Sequence, residues 1–111
     1  MNFFDSDLVQ SEMIEISKLQ EQIYKNMFSY YSMSKEDKIN HVELLEKLLD
    51  KQKILYTRIS LSDDPQAKEM KERISNSAAM MGVPENFDMN IVFNNMSTML
   101  DRMKRNIDMI E

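Results

Sequence analysis

Few side chains in this sequence are suited to catalysis or to metal binding. His41 is the single histidine, and there is no cysteine. A carboxylate-bridged di-iron site needs two Glu-x-x-His pairs, and a zinc site needs several histidine or cysteine ligands. The residue count excludes both kinds of site. His41 lies beside Val42 and Glu43 near a predicted helix start, so we expect a solvated or hydrogen-bonded surface role for it.

Nucleophilic and phosphate-binding chemistry also lack their usual sequence features. A serine nucleophile needs a base within reach and a sharp glycine-containing turn, and a phosphate loop needs several glycines. The chain has one glycine. Carboxylates are plentiful, but on solvated helix faces nothing raises the pKa of one relative to another. We therefore expect no enzyme activity and no cofactor.

The composition predicts a single all-α domain over residues 1–111. One glycine and two prolines are too few for the frequent turns of a β protein. The many methionines, leucines, lysines and glutamates favour helix. No apolar run is long enough to span a membrane, and the first residues are acidic where a signal peptide is basic. We expect a cytoplasmic protein without a membrane segment.

Apolar spacing predicts four helices, near residues 5–31, 35–61, 65–81 and 89–110. The first two should form a long antiparallel hairpin in an elongated bundle. The apolar stripe of the first helix comprises Val9, Met13, Ile16, Ile23, Met27 and Tyr30, with Gln20 in its one polar position. The stripe of the last helix comprises Val92, Met96, Met99, Met103, Ile107 and Ile110.

The segment "SDDP", residues 62–65, ends one helix and starts the next. Pro65 suits the first position of a helix, where its missing N–H is not needed, and it keeps Asp64 out of the helical conformation. Asp64 then serves as the N-cap. This structural role is favoured over a binding role for Asp63 and Asp64.

Other residues also indicate helix ends. Ser34 resembles the start of a capping box, and Gly82 suits a left-handed C-terminal cap. The first helix can be capped by Asp5 or Ser6, and the last by Asp88 or Asn90.

Methionine and tyrosine side chains give the main candidates for a binding surface. Met-rich helix faces can bind other helices, although core packing or self-association is favoured here. The cluster "FSYY", residues 28–31, fits either a cap on the end of the bundle or an interface. The candidate interaction residues are Tyr30, Tyr31, Arg58, Asp63, Asp64, Met96, Met99 and Met103.

Three segments of the sequence carry a family resemblance, which extends over essentially the whole chain. They are "MNFFDSDLVQSEM", "LYTRISLSDDPQAKEMKERI" and "FNNM". The chain resembles a small family of domains of unknown function found in cyanobacteria and in the phages that infect them. The resemblance implies no established activity, cofactor or catalytic residue. The many methionines and asparagines resemble a marine cyanophage version, and a phage-encoded member is expected to be a small accessory protein that acts on a host or phage protein inside the infected cell.

The function expected from these features is that of a non-catalytic helical protein that binds and modulates another protein. Its long apolar stripes predict a homodimer, in which Gln20 and Gln52 could fix the register. The alternative is a nucleic-acid-associated regulator that uses the basic residues Arg102, Lys104 and Arg105. The net charge of −5 and the interspersed aspartates argue against that alternative.

Overall fold

The computed structural model describes residues 2–84 and 88–109, and this part of the chain consists of helices joined by short connections. The four α-helices are α1 (Asp7–Met27), α2 (Lys35–Leu61), α3 (Pro65–Met80) and α4 (Met89–Met109). Two 3-10 turns, Phe3–Asp5 and Tyr30–Ser32, flank α1. The described residues contain no strand, and the predicted all-α helical bundle is confirmed.

Helix α2 is the central element, because α1, α3 and α4 all pack against it. Ion pairs join Glu12 to Arg58 and Glu15 to Lys51, so α1 runs antiparallel to α2 as the sequence predicts. On another side of α2, the Tyr56 and Phe93 rings are 5.8 Å apart. Since Lys104 reaches Glu46, nearer the start of α2, α4 also runs antiparallel to it.

The molecule is elongated and thin. Its principal extents are 51 × 31 × 19 Å, and its radius of gyration is 16.1 Å. A compact chain of this length would have a radius of gyration of about 13 Å. The difference follows from the arrangement of α1 and α4 along two sides of one 27-residue helix.

The core is a narrow seam along α2. Apolar residues of α1 at helical spacing face it, and Val42 and Ala67 have no exposed surface. The buried apolar side chains of the described residues are Val9, Ile16, Leu19, Ile23, Val42, Leu49, Ile59, Ala67, Phe93 and Ile107. Full burial of a valine, leucine, isoleucine or phenylalanine side chain stabilises a fold by roughly 1.5–3 kcal/mol.

The connection between α2 and α3 is held by the Asp64 carboxylate. Asp64 Oδ1 accepts a hydrogen bond from the Gln66 N–H at 2.8 Å, which confirms Asp64 as the N-cap of α3. Asp64 Oδ2 accepts a second hydrogen bond, from the Phe3 N–H at 2.6 Å. One side chain therefore caps α3 and fastens the N-terminal turn to it, a contact that sequence spacing does not predict.

The caps of α2, α3 and α4 agree with the sequence. Ser34 Oγ accepts from the Asp37 N–H at 3.2 Å, and Asp88 Oδ1 accepts from the Asn90 N–H at 2.9 Å. Gly82 has φ +96°, and the N–H groups of Gly82 and Val83 bond back to carbonyls in the last turn of α3. These bonds form a Schellman motif, which requires the positive φ.

Helix α1 is shorter than the predicted span of 5–31. It begins at Asp7, with Ser6 in the predicted N-cap position and in the extended conformation usual there, although the Ser6 side chain makes no capping hydrogen bond. At the other end, Ser29 donates from both its N–H and its Oγ to the Asn26 carbonyl, each at 3.2 Å. Such local serine bonds compete with helical hydrogen bonding, so the chain continues as a 3-10 turn.

The apolar stripe predicted on α4 is displaced from the face that packs on α2. The buried residues there are Phe93 and Ile107, whereas Met96 and Met99 are exposed. Phe93 lies between stripe positions 92 and 96 and fits against Tyr56. Because α4 has apolar residues over a wide arc, spacing alone did not select the packed side. Ile110, the last residue of the stripe, lies outside the described residues.

We expect Asp64→Ala to destabilise the protein more than Asp63→Ala does. The first substitution removes both acceptors, while Asp63 is exposed and serves as the matched control. A lost N-cap typically lowers the melting temperature of a domain of this size by roughly 4–8 °C. Thermal unfolding followed by circular dichroism at pH 7 measures the difference, and equal melting temperatures of the two variants would contradict this role.

The same contacts predict the acid dependence of the Asp64 contribution. Hydrogen bonds from the Phe3 and Gln66 N–H groups lower the pKa of Asp64 below its ordinary 3.8. The stabilisation is therefore present above pH 3.8 and is lost as the pH falls through the lowered pKa. The melting-temperature gap between the native protein and Asp64→Ala should narrow in that acidic range.

Candidate functional site

A cavity of about 500 Å³ lies where the α1–α2 turn meets α4. It combines aromatic, cationic and apolar side chains. Its walls include Tyr30, Tyr31, Lys35, Lys38, Met103 and Ile107. We call this site the turn cavity. Three of the sequence candidates, Tyr30, Tyr31 and Met103, meet there, although Met103 is more than 70 residues away along the chain.

The two lysines give the turn cavity a local positive charge within an acidic protein. Lys38 Nζ lies 5.6 Å from the centre of the Tyr30 ring, and Lys35 Nζ donates to the Asp108 carbonyl at 3.1 Å. Neither ammonium group forms an ion pair with a carboxylate of residues 2–84 or 88–109. Within these ranges, no carboxylate neutralises the charge of either lysine.

Tyr31 is a strongly exposed wall of this cavity. Its side chain is 91% exposed, and its ring packs edge-on against Tyr30 at 5.6 Å. The neighbouring Phe28 is 92% exposed. Large exposed aromatic side chains are enriched at protein interfaces, so this end of the molecule has the composition of a binding surface.

The expectation that His41 is a surface residue is wrong. His41 is 7% exposed, and its ring packs beside Tyr30 with 5.4 Å between centroids. Its Nδ1 has no hydrogen-bond partner among the described residues. Burial lowers the pKa of His41. His41 lies on the inner side of α2, in helical phase with Leu45 and Ile59, and the 3-10 turn after α1 brings Tyr30 over its ring.

Met96 and Met99 lie apart from the turn cavity, further toward the start of α4. Met96 is 45% exposed and Met99 is 61% exposed. Together with the half-buried Val92 and Met103, they form a stripe at intervals of four, three and four residues beside the packed face. The stripe reaches the turn cavity through Met103.

The three polar candidates lie near the other end of the molecule. Arg58 Nε donates to Glu12 Oε1 at 2.9 Å, and the two oxygens of Asp64 already accept backbone hydrogen bonds. Asp63 is exposed beside them. The structure does not bring these residues together with the tyrosines or methionines, and two of the three have a structural role.

The fold gives the three basic residues of α4 different surroundings. Lys104 Nζ lies 3.3 Å from Glu46 and 3.6 Å from Glu43, and the hydrogen bond to Glu46 raises the pKa of Lys104. Arg102 and Arg105 are exposed. Two arginines and a carboxylate-paired lysine form a small basic patch.

Sequence reasoning missed several residues of the turn cavity. Lys35 and Lys38 lie near the start of a helix, where lysines alone indicate no binding site, and Met33 and Asn106 follow no distinguishing pattern. The spacing of Lys38, Leu45 and Gln52, seven residues apart on one side of α2, was the signal that could have identified Lys38.

The part of the chain that the structure describes has neither a cluster of metal ligands nor a membrane-spanning helix. Within residues 2–84 and 88–109, no three histidine or carboxylate side chains are grouped to hold a metal ion. In the same ranges, no helix combines the length and the apolar character that crossing a membrane requires.

These features define a small all-helical domain with an aromatic and cationic cavity at one end. The chain belongs to the DUF1825 family, a domain of unknown function, whose family model matches residues 1–107. This confirms the resemblance to a family of domains of unknown function. Searches among characterised proteins and among solved structures give no significant match.

We expect His41→Phe to remove a pH-dependent loss of stability. Because the pKa of His41 is lowered in the folded chain, the unfolded chain binds the proton first as the pH falls below 6.5. Stability is therefore greatest above pH 6.5 and declines toward the lowered pKa. Phenylalanine keeps a ring against Tyr30 and removes the titrating group.

Thermal unfolding at pH 7.5, 6.5 and 5.5 checks this expectation. The melting temperature of the native protein should fall over this range, and that of His41→Phe should fall less. Most carboxylates titrate below the range. Identical pH dependence in the two proteins would show that His41 does not titrate differently on folding.

Proposed function

We propose that this protein is a non-catalytic helical accessory protein that binds another protein through the turn cavity and modulates it. The observation that carries the proposal is the convergence of two tyrosines, two lysines and Met103 around a cavity of about 500 Å³. Interfaces are enriched in tyrosine and methionine, and their energetic centres are aromatic side chains in partly enclosed pockets.

The chemistry of the cavity favours a partner segment with an apolar side chain and adjacent carboxylates. The apolar group would fill the space between Tyr31 and Met103, and the carboxylates would lie near Lys35 and Lys38. Opposite charge speeds encounter and selects against basic partners. The rest of this acidic chain would repel an acidic partner, so contact is directed to this end.

The setting of this function is also part of the proposal. Following the sequence resemblance, we place the protein in the cytoplasm, encoded by a cyanobacterium or a cyanophage. If a cyanophage encodes it, the partner is a host or phage protein in the infected cell. A role as a nucleic-acid regulator receives less support, because Lys104 is already paired with Glu43 and Glu46.

Affinity capture with the tagged protein from host and infected cells tests the proposal, with Tyr31→Ala and Lys38→Glu as cavity variants. The matched controls are Tyr24→Ala and Lys53→Glu, which change exposed residues of the same types outside the cavity. We expect each cavity variant to weaken binding of the captured protein by at least about tenfold, and each control to bind normally.

The same experiment distinguishes protein binding through the turn cavity from the alternative of nucleic-acid binding. Phosphate binding weakens steeply with salt and depends on basic residues. Capture that is lost on nuclease treatment, or that depends on Arg102 and Arg105 and not on Tyr31, would overturn the proposal. Unchanged binding by both cavity variants, with circular dichroism showing that they are folded, would also overturn it.

A further inference from the structure

The folded chain exposes more surface than a compact monomer of its mass. Its accessible surface is 8132 Å², whereas a compact 13.2 kDa monomer would expose about 6,400 Å². Among the described residues, fifteen large apolar side chains are exposed and ten apolar side chains are buried. The excess, about 1,700 Å², points to a surface that the isolated chain does not cover.

The ion pairs between helices identify one side of α2. Its partners in α1 are Glu12 and Glu15, and its partner in α4 is Lys104. Successive residues of a helix are about 100° apart around its axis. This spacing puts the α2 members of these pairs on one side: Glu43, Glu46, Lys51 and Arg58. Leu45 and Gln52 lie on the opposite side and are half-buried.

The same helical spacing shows which residues of α1 and α4 lie on either flank of the stripe that packs on α2. On α1, Glu15 lies on one flank of the stripe that packs on α2, and Met13, Gln20 and Met27 lie on the other. On α4, Lys104 lies on one flank of the packed stripe, and the methionine stripe lies on the other. Because both charged flanks meet the same side of α2, both uncharged flanks lie on the side of Leu45 and Gln52.

We propose that a second copy of this chain covers this side of the molecule and forms a two-fold symmetric dimer. The surface, which we call the uncharged face, comprises Met13, Gln20 and Met27 of α1, Leu45 and Gln52 of α2, and Val92, Met96, Met99 and Met103 of α4. The dimer is a pair of open helical layers with their uncharged faces in contact.

The area supports a second copy as the occupant. If a second copy covered the whole excess on each of two chains, about 3,400 Å² would be buried in total, an upper limit that lies within the range of about 2,000–5,000 Å² for obligate homodimers. Four of the fifteen exposed apolar side chains, Met13, Met27, Met96 and Met99, lie on this face. A two-fold interface places the same surface on both sides. Lys38 lies on the same side of α2 at the turn cavity, but the residues of the uncharged face itself carry no formal charge, so two chains of net charge −5 can meet there without carboxylates in contact.

The two glutamines suit a self-complementary interface. Gln20 and Gln52 are half-buried, and each amide offers both donors and acceptors. A buried amide within an apolar seam fixes register, because misaligned pairing leaves its hydrogen bonds unmade. The flexible methionine side chains around them can adapt to an identical surface.

The chain's own third helix does not fill this space. Helix α3 packs on α2 and on the N-terminal 3-10 turn. It approaches the uncharged face at one end, where Met70 and Met13 line a common groove with Phe4. This dimer does not depend on the proposed protein-binding function, since most of the turn cavity lies beyond the end of the face.

Sedimentation equilibrium of the full chain at micromolar concentration tests the dimer, with Met96→Glu and Ile54→Glu compared. These residues have similar exposure, 45% and 50%, but Ile54 lies on the ion-paired side of α2. We expect twice the chain mass of 13.2 kDa for the native protein and for Ile54→Glu. Met96→Glu should weaken dimerisation at least about tenfold, because it buries an unpaired carboxylate.

Cysteine cross-linking provides a measurement that does not depend on a destabilising substitution. Since the chain has no native cysteine, Gln52→Cys and Ile54→Cys each present a single thiol. A short bis-maleimide should link two copies through Gln52→Cys and not through Ile54→Cys. A monomeric native protein overturns the proposal, and so does a dimer that is lost in Ile54→Glu but kept in Met96→Glu.

Discussion

The Asp64 carboxylate is the contact on which the arrangement of the helices depends. Its two oxygens accept backbone N–H groups from the N-terminal turn and from the first turn of α3, immediately after α2 ends. A carboxylate that accepts two N–H groups near a helix N-terminus is favoured by geometry and by the helix dipole. With Pro65 at the first helical position, the chain turns sharply there. Helix α3 is consequently directed toward the N-terminal turn.

The direction of α3 determines which surface of the other helices remains exposed to solvent. Helices α1 and α4 both pack on α2, and ion pairs close one side of each interface. A fourth helix along the opposite side would complete a closed bundle, but α3 is held at the end of the layer. The methionine stripe of α4 and the flank of α1 therefore remain half-exposed, and the molecule is thin for its length. The surface ion pairs contribute little stability, but they distinguish the ion-paired side of α2 from the uncharged face opposite it.

The two proposed surfaces would divide the molecule into separate functions. The turn cavity has exposed aromatic rings and two lysines at one end, and the uncharged face follows the length of the layer. A dimer formed through the face would present two turn cavities, so a partner with two acidic segments would be bound with increased avidity. Membership in the DUF1825 family assigns no chemistry to these residues, and the proposals rest on their geometry and charge.

The sequence by itself determined the secondary structure and most of its boundaries. The spans of α2, α3 and α4 and the caps at Ser34, Asp64 and Gly82 were predicted, because capping and left-handed turns depend on residues within one helical turn. The end of α1 was missed where Ser29 bonds to Asn26, a local competition with no strong sequence signal.

Only the tertiary structure decided which apolar residues are covered and which side chains meet. Phe93 and not Met96 packs on α2, because a wide apolar arc fits its neighbour in more than one rotation and the contact with Tyr56 selects one. His41 shares the packed side of α2 with Ile59, and Tyr30 from a turn outside its own helix covers its ring. The turn cavity joins residues 30–38 to residues 103–107, and the link from Asp64 to Phe3 spans 61 residues. Contacts over such separations depend on how the helices pack, which local periodicity does not encode.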